Sequence, residues 1–255
     1  MMQEIFKRMC EIRYFELGLA KAIKDGLIYC PAYLSIGQES IAASLSVICP
    51  DYRVFPQHRG NSWYLAFGGD PIKLRDEFLG RPTGCCGGRA GSDVQCDSVE
   101  AHHGLIGENA PIGIGYALAT KLPTLIPMGD GSVEEDCFLT SVGFAVTQQL
   151  PVLFICEDNG LAILTPIKDR RNWRVTEAVK GLGMDAIDLS DDPRRLSKLD
   201  IKLPMLLNIR TSRHYWHVGS GQDSQPEVDR VAQYRTGWEE IEKRAKEYME
   251  KVWQL

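Results

Sequence analysis

The sequence predicts an α/β fold in which a mostly parallel sheet carries helices on both faces. Two observations favour this class. From residue 124 onward, short apolar runs of strand length alternate with segments of helical periodicity. Basic and polar residues separate the later runs, as expected where parallel strands are covered on both sides. The chain has 255 residues with no internal repeat or linker-like stretch, so we expect a single domain over 1–255.

Three helices are predicted before the sheet. Apolar residues recur every three or four positions over 5–23, which is typical of an amphipathic helix. The same spacing over 41–48 predicts a second helix. Asp70 followed by Pro71 resembles an N-cap with proline in the first turn, so a third helix is expected over 71–79. A glycine-rich loop is expected next, over residues 80–115.

Strands are predicted at four apolar runs, 124–128, 151–156, 184–189 and 204–209, with a helix at 138–146 after the first. A polar loop over 211–225 precedes the last predicted helix, 226–255. That helix is expected to bury Val228, Val231, Trp238, Ile241, Ala245, Tyr248 and Val252. Two roles are open for this helix. It either lies on the surface and closes the core, which is the simpler interpretation, or forms a subunit contact.

Composition excludes several functional classes. The chain has 29 basic and 34 acidic residues, a net charge of −5, and neither sign forms a block, so a nucleic-acid partner is not expected. No apolar run reaches membrane-spanning length. Charged residues are spread through the first sixteen positions, where a signal peptide would have an uninterrupted apolar segment. We therefore expect no membrane association and a cytoplasmic location.

Eight cysteines are scattered along the chain and are interpreted as reduced thiols. A zinc site was considered for Cys85, Cys86, Cys96, His102 and His103. The spacing of these residues gives no chelating pair, so structural zinc is not expected.

The turn after the first predicted strand carries a candidate phosphate site. It reads Gly129-Asp130-Gly131-Ser132, with glycines that let the backbone approach an anion and a carboxylate for a hard cation. Asn159 follows the next strand, 29 residues after Asp130. Ends of successive parallel strands meet at one sheet edge, so these side chains are predicted to bind a diphosphate and Mg²⁺ together.

These residues lie in blocks that resemble the alpha subunits of thiamine-diphosphate-dependent 2-oxoacid dehydrogenases of the pyruvate, branched-chain and acetoin types. The segment GDGSVEEDCFLTSVGFAVTQQLPVLFICEDN is similar to the family's cofactor motif throughout. Five further blocks occur in order, SIGQES, VFPQHRGNSWYLAFGGD, LGRPTGCCGGRAGS, HHGLIGENAPIGIGYALA and RTSRHYWHV. The resemblance implies the thiamine-diphosphate-binding fold.

The resemblance also implies roles for individual residues. Asp130, Asn159 and the carbonyl of Leu161 correspond to Mg²⁺ ligands, and Gly129, Gly131 and Ser132 to the segment that borders the diphosphate. His58 and Arg59 occupy the place of a Tyr-Arg pair that binds the diphosphate.

Gly104 and Ile106 match the segment beside the aminopyrimidine ring. His217 matches a loop histidine close to the reacting substrate, and His103 is a weaker candidate for a second catalytic histidine. Three positions depart from the family pattern, Asp136, Thr140 and Asn61, and they leave substrate identity open.

In such a family the cofactor decarboxylates a 2-oxoacid and retains the acyl unit for transfer. The glutamate that activates the cofactor comes from a beta-type subunit, so the resemblance implies an α2β2 heterotetramer. The acceptor is either a lipoyl carrier or, in an acyloin-forming carboligase, a carbonyl compound, and the sequence does not separate the two.

Two other functions were weighed. Gly113-Ile114-Gly115 suggests a nicotinamide-binding oxidoreductase, but the third glycine of the motif is missing and the motif precedes a strand instead of following one. A scaffold that has lost its chemistry is disfavoured because Asp130, Asn159, Arg59 and His217 are all present.

Overall fold

The computed structural model describes residues 1–92, 98–100, 104–223 and 228–254. Within these ranges the strands are β1 (Arg53–Val54), β2 (Thr124–Gly129), β3 (Val152–Asp158), β4 (Leu161–Ala162), β5 (Thr165–Pro166), β6 (Asp185–Ser190) and β7 (Met205–Arg210). The helices are α1 (Met2–Lys24), α2 (Glu39–Ile48), α3 (Asn61–Ala66), α4 (Pro71–Phe78), α5 (Asn109–Thr120), α6 (Asp136–Thr147), α7 (Ile167–Arg170), α8 (Val175–Gly181), α9 (Pro193–Leu196), α10 (Arg230–Tyr234) and α11 (Glu239–Val252).

The main sheet has the order β1-β2-β3-β7-β6, and every neighbouring pair is parallel. The four predicted strands are thus confirmed, as are the helices α1, α2, α4 and α6. Strand β1 was not predicted because only two residues pair with β2, too few to produce a periodic pattern. Strands β4 and β5 form a separate antiparallel hairpin.

Both faces of the sheet are covered by helices, as predicted. Leu153 and Ile155 of β3 face a core formed with α1, α2 and α4. Val152 and Phe154, which alternate with them, face a second core formed with α5, α6 and α8. This alternation decides which side chains at the end of β3 lie on each side of the sheet.

The N-terminal helix α1 packs against the C-terminal helix α11. Trp253 lies over Gly18, where an added Cβ would come within 2.1 Å of the indole ring. The indole Nε1 donates a hydrogen bond to the carbonyl of Phe15 at 2.9 Å. Glycine at position 18 therefore leaves the space that the indole fills.

The predicted loop over 80–115 is wrong at its C-terminal end, because α5 begins at Asn109. The Asn109 amide donates to the carbonyls of Phe55 and Pro127, both at 2.8 Å, and so fixes the start of the helix beside the sheet. Gly113 lies inside α5, where a Cβ would come within 2.7 Å of the side chain of Ile126. This glycine allows close helix packing and does not indicate a loop.

The single C-terminal helix predicted over 226–255 is also wrong. The described part of this segment forms α10 and α11, separated at Gly237, which has a φ of +85°. The break changes the helical phase, so Met249 is buried while Tyr248 is 46% exposed. Val231, Ala245 and Val252 are buried as predicted, Val228, Trp238 and Ile241 are half-buried, and the prediction is wrong for Tyr248.

The glycine-rich segment after α4 is organised by Glu77, which is buried. One carboxylate oxygen accepts hydrogen bonds from the backbone N–H groups of Cys86 and Gly88, at 2.7 and 2.9 Å. The other accepts from Ala90 and Gly91, at 2.7 and 3.3 Å. A single side chain therefore satisfies four backbone donors of a segment that has no regular structure.

Glu77 also forms a group with Cys85 and Cys86, whose potential ligand atoms lie within 4.8 Å of one another. The four backbone donors already use the carboxylate lone pairs, so Glu77 acts here as an organiser of the loop. Among the described cysteines, Cys10, Cys49, Cys137 and Cys156 are free thiols, and Cys96 lies outside the described ranges. Among the described residues, no helix is both long and apolar enough to cross a membrane.

Candidate functional site

A cavity of about 150 Å³ opens at the carboxyl ends of β2 and β3. Asp130 comes directly after β2 and Asn159 directly after β3, and the register pairs Gly129 with Glu157. The lining residues include most of the predicted site, namely His58, Arg59, Ile106, Gly129, Asp130, Gly131, Ser132, Asn159, Leu161 and His217. Ligands in open parallel sheets bind at this edge.

The Asp130 carboxylate is almost fully buried, at 1% exposure. Its Oδ2 pairs with the guanidinium of Arg170, which also binds Glu134. Burial and the nearby Asp158 carboxylate raise the pKa of Asp130, while Arg170 opposes that shift. Arg170 was not among the predicted site residues.

Asn159 is oriented by hydrogen bonds on both sides of its amide. Its Nδ2 donates to Oε1 of Gln38 at 2.9 Å, and its Oδ1 accepts from the backbone N–H of Leu161 at 3.1 Å. Gln38 is the residue immediately before α2 and also lines the cavity. The amide oxygen of Asn159 is thereby held close to the Leu161 backbone.

Gly131 and Ser132 follow Asp130 and open a single 3-10 turn, Ser132–Glu134. The Ser132 hydroxyl donates to Oε1 of Gln57 at 2.6 Å, and the N–H of Gly129 donates to the same oxygen at 3.4 Å. The Nε2 of Gln57 is buried without a hydrogen-bond partner. Gln57 therefore places an unused donor at the wall of the cavity, although sequence reasoning did not select it.

Arg59 carries a half-buried cation between two loops. Its Nη1 donates to the carbonyl of Leu34, and its Nη2 donates to the carbonyl of His217 at 3.4 Å. Burial and the like charge of Arg213 lower the pKa of Arg59 to about 10. The group remains protonated at neutral pH and offers a positive charge to an anionic ligand.

His217 belongs to a cluster of three rings at the cavity. Its ring centroid lies 5.3 Å from that of His58 and 5.2 Å from that of Tyr33, and Tyr33 lies 4.4 Å from His58. Burial, together with Arg59 and Arg213, lowers the pKa of His217 to about 4. The imidazole is therefore neutral at physiological pH and able to accept a proton.

Of the remaining predicted site residues, only some line the cavity. Ile106 lines the cavity and is 38% exposed. Gly104, two residues earlier, is exposed and is not one of the lining residues. His103 lies outside the described residues.

Glu157 is a cavity residue that the sequence did not reveal as one. It is 5% exposed, and its Oε2 accepts a hydrogen bond from Nε1 of Trp63 at 3.3 Å. The other oxygen, Oε1, is buried with no partner. Burial raises the pKa of Glu157 to about 7, with Trp63 and Arg59 opposing the shift.

The departures from the family pattern lie in different environments. Asn61 is buried, and its amide donates to Oε1 of Glu16 at 3.2 Å. Asp136 and Thr140 lie on the exposed side of α6, where the Thr140 hydroxyl donates to the carbonyl of Asp136 at 3.1 Å. Of the acidic alternatives, Glu108 is exposed immediately before α5.

The nicotinamide alternative does not fit this geometry. Gly113 and Gly115 lie within α5, and helix α5 precedes β2. A dinucleotide motif requires glycines in the turn that leads from a strand into a helix.

Residues 7–191 match the family model described as "Dehydrogenase E1 component". The chain is 26% identical over 259 residues to the pyruvate dehydrogenase E1 component subunit alpha-2 of Arabidopsis thaliana, covering 93% of this chain and 66% of that protein. It is 29% identical to the corresponding alpha subunit of Zymomonas mobilis, covering 84% of this chain and 66% of that subunit.

The alpha subunit of acetoin:2,6-dichlorophenolindophenol oxidoreductase from Cupriavidus necator is 31% identical, over 62% of this chain and 50% of that subunit. The chain thus spans about two thirds or less of the length of these relatives.

Two solved transketolases share the fold. The enzyme from Campylobacter jejuni has a TM-score of 0.65 and 16% identity, with 82% of this chain and 38% of that chain covered. The enzyme from Leishmania mexicana has a TM-score of 0.64 and 14% identity, with 97% and 46% covered.

Proposed function

Because this chain belongs to the dehydrogenase E1 component family, we propose that it is the alpha-type subunit of an enzyme that decarboxylates a 2-oxoacid with thiamine diphosphate and Mg²⁺. The enzyme would then transfer the resulting acyl or aldehyde unit. One observation carries the proposal. Asp130 and Asn159, at the ends of neighbouring parallel strands, line the same cavity as Arg59 and His217.

The residues present fit the proposed cofactor. Asp130, Asn159 and the Leu161 carbonyl supply the oxygen ligands that Mg²⁺ prefers. Arg59 offers a planar fork for the diphosphate, and the unpartnered Nε2 of Gln57 offers a further donor. A buried polar atom without a partner is costly, so a ligand that accepts from Gln57 is favoured at this position.

Backbone geometry supports the same placement. A Cβ added at Gly131 would lie 2.8 Å from the Cβ of Ala162, so only glycine fits between the phosphate-site turn and the β4-β5 hairpin. The N–H groups in the first turn of a helix have no partner within the helix. Gly131 and Ser132 are therefore suited to hold diphosphate oxygens.

Bound thiamine diphosphate would supply the electron sink that stabilises the charge left when carbon dioxide departs. Arg59, and with it His58, would hold the diphosphate. Ile106 would support the apolar part of the cofactor. His217, kept neutral by its surroundings, would accept a proton from the substrate or return one to the product.

We further propose a beta-type partner in an α2β2 assembly. On α5, Ile112 is 39% and Leu118 38% exposed, and on α6, which packs against α5, Phe144 is 43% exposed. Large apolar side chains exposed on neighbouring helices are suited to a protein interface. The partner would supply the activating glutamate, and the acyl acceptor would be either a lipoyl carrier or a carbonyl compound.

Titration calorimetry of the full chain with thiamine diphosphate tests the proposal. We expect saturable binding with Mg²⁺ and none in a chelator, since Asp130 and the diphosphate otherwise repel each other. NADH serves as the control ligand and should not bind. Tight binding of NADH without any response to thiamine diphosphate and Mg²⁺ would contradict the proposed cofactor.

A further inference from the structure

Arg170, the last residue of α7, is held against the candidate site through all three guanidinium nitrogens. Nη2 binds Oδ2 of Asp130, Nη1 binds Oε1 of Glu134, and Nε donates to the carbonyl of Thr165 at 3.1 Å. The side chain is only 10% exposed. An arginine fixed in this way has little freedom to move while Asp130 remains its partner.

Arg171 is a second cation beside Asp130. Its Nη1 donates to the backbone carbonyl of Asp130 and to Oε1 of Glu134, both at 2.6 Å. Two arginines thus face Asp130 and Glu134, and the Asp158 carboxylate also lies near Asp130. A divalent cation added to this group would bring two positive charges next to Arg170.

We infer that Arg170 is an internal counter-cation for Asp130 and that a divalent cation bound by Asp130 competes with it for the carboxylate. The inference rests on the proposed function, in which Asp130 is a metal ligand. Buried like charges repel strongly because water does not screen them well. Arg170 therefore sets the affinity of the site for the metal by competing for the carboxylate.

The position of the guanidinium supports the competition. Its Nη1 lies 3.6 Å from the point where a Cβ of Gly131 would be. Gly131 belongs to the turn assigned to the diphosphate, so Arg170 lies beside both proposed parts of the ligand. It neutralises Asp130 when no metal is bound and limits the binding of a metal that arrives without its diphosphate.

The direction in which the metal affinity changes when Arg170 is replaced distinguishes competition from a structural role. If Arg170 merely held Asp130 in position, its removal would weaken metal binding. If Arg170 competes with the metal, its removal strengthens binding because Asp130 is left with an uncompensated negative charge. We therefore expect Arg170→Gln to bind Mn²⁺ about tenfold more tightly than the unchanged protein in the absence of thiamine diphosphate.

Free Mn²⁺ is measured by electron paramagnetic resonance during titration of the full chain, co-purified with its partner where one is present. Lys168→Gln is the matched control, since Lys168 is exposed on the same short helix and the change also removes one positive charge. Its affinity for Mn²⁺ should change less than about twofold, because solvent screens exposed charges. Arg170→Lys keeps the charge without the fork and should give an intermediate affinity.

Circular dichroism spectra that match the unchanged protein establish that each variant is folded, and Arg170→Lys provides the test if Arg170→Gln is not. Equal or weaker Mn²⁺ binding by the folded variants would overturn the competition. If the unchanged protein binds Mn²⁺ only with thiamine diphosphate while Arg170→Gln gains nothing, the inference fails and the cofactor proposal stands. If neither protein binds Mn²⁺ or thiamine diphosphate under any condition, both fail.

Discussion

Arg59 donates a hydrogen bond to the backbone carbonyl of His217, 158 residues further along the chain, at 3.4 Å. The contact joins the loop after β1 to the loop after β7 and brings a half-buried cation close to an imidazole. Because a second positive charge on the ring would be repelled, Arg59 helps to lower the pKa of His217. The neutral form of this histidine is thus built into the fold.

Replacing Arg59 by glutamine is expected to raise the pKa of His217 from about 4 towards its ordinary value of 6.5. The rise should be partial because burial, the largest cause of the shift, remains. NMR titration of the His217 ring measures it, with Arg174→Gln as an exposed control. Since the folded-state pKa is depressed, His217 favours the folded state above pH 6.5, and this contribution is lost as pH falls towards 4. An unchanged titration in Arg59→Gln would contradict this electrostatic coupling.

Asp130→Asn is expected to lower the affinity for thiamine diphosphate in the presence of Mg²⁺ by about a hundredfold or more, because a charged metal ligand is lost. Calorimetry measures the affinity. Asp136→Asn, which alters an exposed aspartate six residues later, should bind like the unchanged protein. Comparable binding by both variants would exclude Asp130 as a metal ligand.

Glu16→Gln is expected to reduce the pH dependence of stability. Glu16 is fully buried, and burial with the neighbouring Glu39 raises its pKa from 4.5 to about 8. The unfolded chain ionises this carboxyl above pH 4.5 while the folded chain keeps it protonated. Its contribution to stability is therefore complete at low pH and is lost as pH rises from 4.5 towards 8.

The melting temperature should fall less between pH 5 and 8.5 in Glu16→Gln than in the unchanged protein. The difference should be on the order of 10 °C, since about three pH units of linkage correspond to ~4 kcal/mol and ~1 kcal/mol shifts Tm by about 2–4 °C for a chain of this size. Glu177→Gln, an exposed substitution, provides the control. If the melting temperatures of Glu16→Gln and the unchanged protein depended on pH in the same way, Glu16 would be ionised in the folded state.

The isolated chain is expected to release no carbon dioxide from pyruvate, branched 2-oxoacids or 2-oxoglutarate, and to gain activity with a beta-type partner. The physical reason is that cofactor activation requires a suitably placed carboxyl, which the partner would supply. Glu157 and Glu108 are the internal alternatives, the first buried in the cavity and the second exposed. Turnover by the isolated chain that disappears in Glu157→Gln or in Glu108→Gln would overturn the two-subunit proposal.

Glu77→Gln is expected to destabilise the chain by roughly 3 kcal/mol, because hydrogen bonds to a buried carboxylate are worth more than those to a neutral amide. The amide NH₂ of glutamine would also face two backbone donors. Urea unfolding measures the change. Glu100→Gln, in a surface pair with Arg53, should cost less than about 1 kcal/mol. Equal effects of the two substitutions would argue against the role of Glu77.

The positions of Asp130 and Asn159 in the candidate site were predictable because they follow from the order of the strands. Asp130 and Asn159 each come directly after an apolar run, and successive parallel strands end at the same sheet edge. Glu157 escaped prediction because the apolar run ends at Cys156, so the next residue resembles part of a polar turn. In the structure β3 continues to Asp158, and strand alternation directs Glu157 to the cavity.

Contacts between distant segments were not predictable in the same way. Arg170 lies in a four-residue helix with no periodic pattern, and its partner Asp130 is 40 positions away. The prediction of one continuous C-terminal helix was wrong for a different reason. Its apolar spacing continues across Gly237, and the positive φ of that glycine is a property of the folded backbone.

The fit between Gly18 and Trp253 has an evolutionary consequence. The indole fills the volume that any side chain at position 18 would need, although the two positions lie in the first and last segments of the chain. A change to alanine at position 18 is tolerable only in a descendant that has already exchanged the tryptophan for a smaller residue. Among homologous chains with this arrangement, the two positions should vary as a pair, and the order of their substitutions should be constrained.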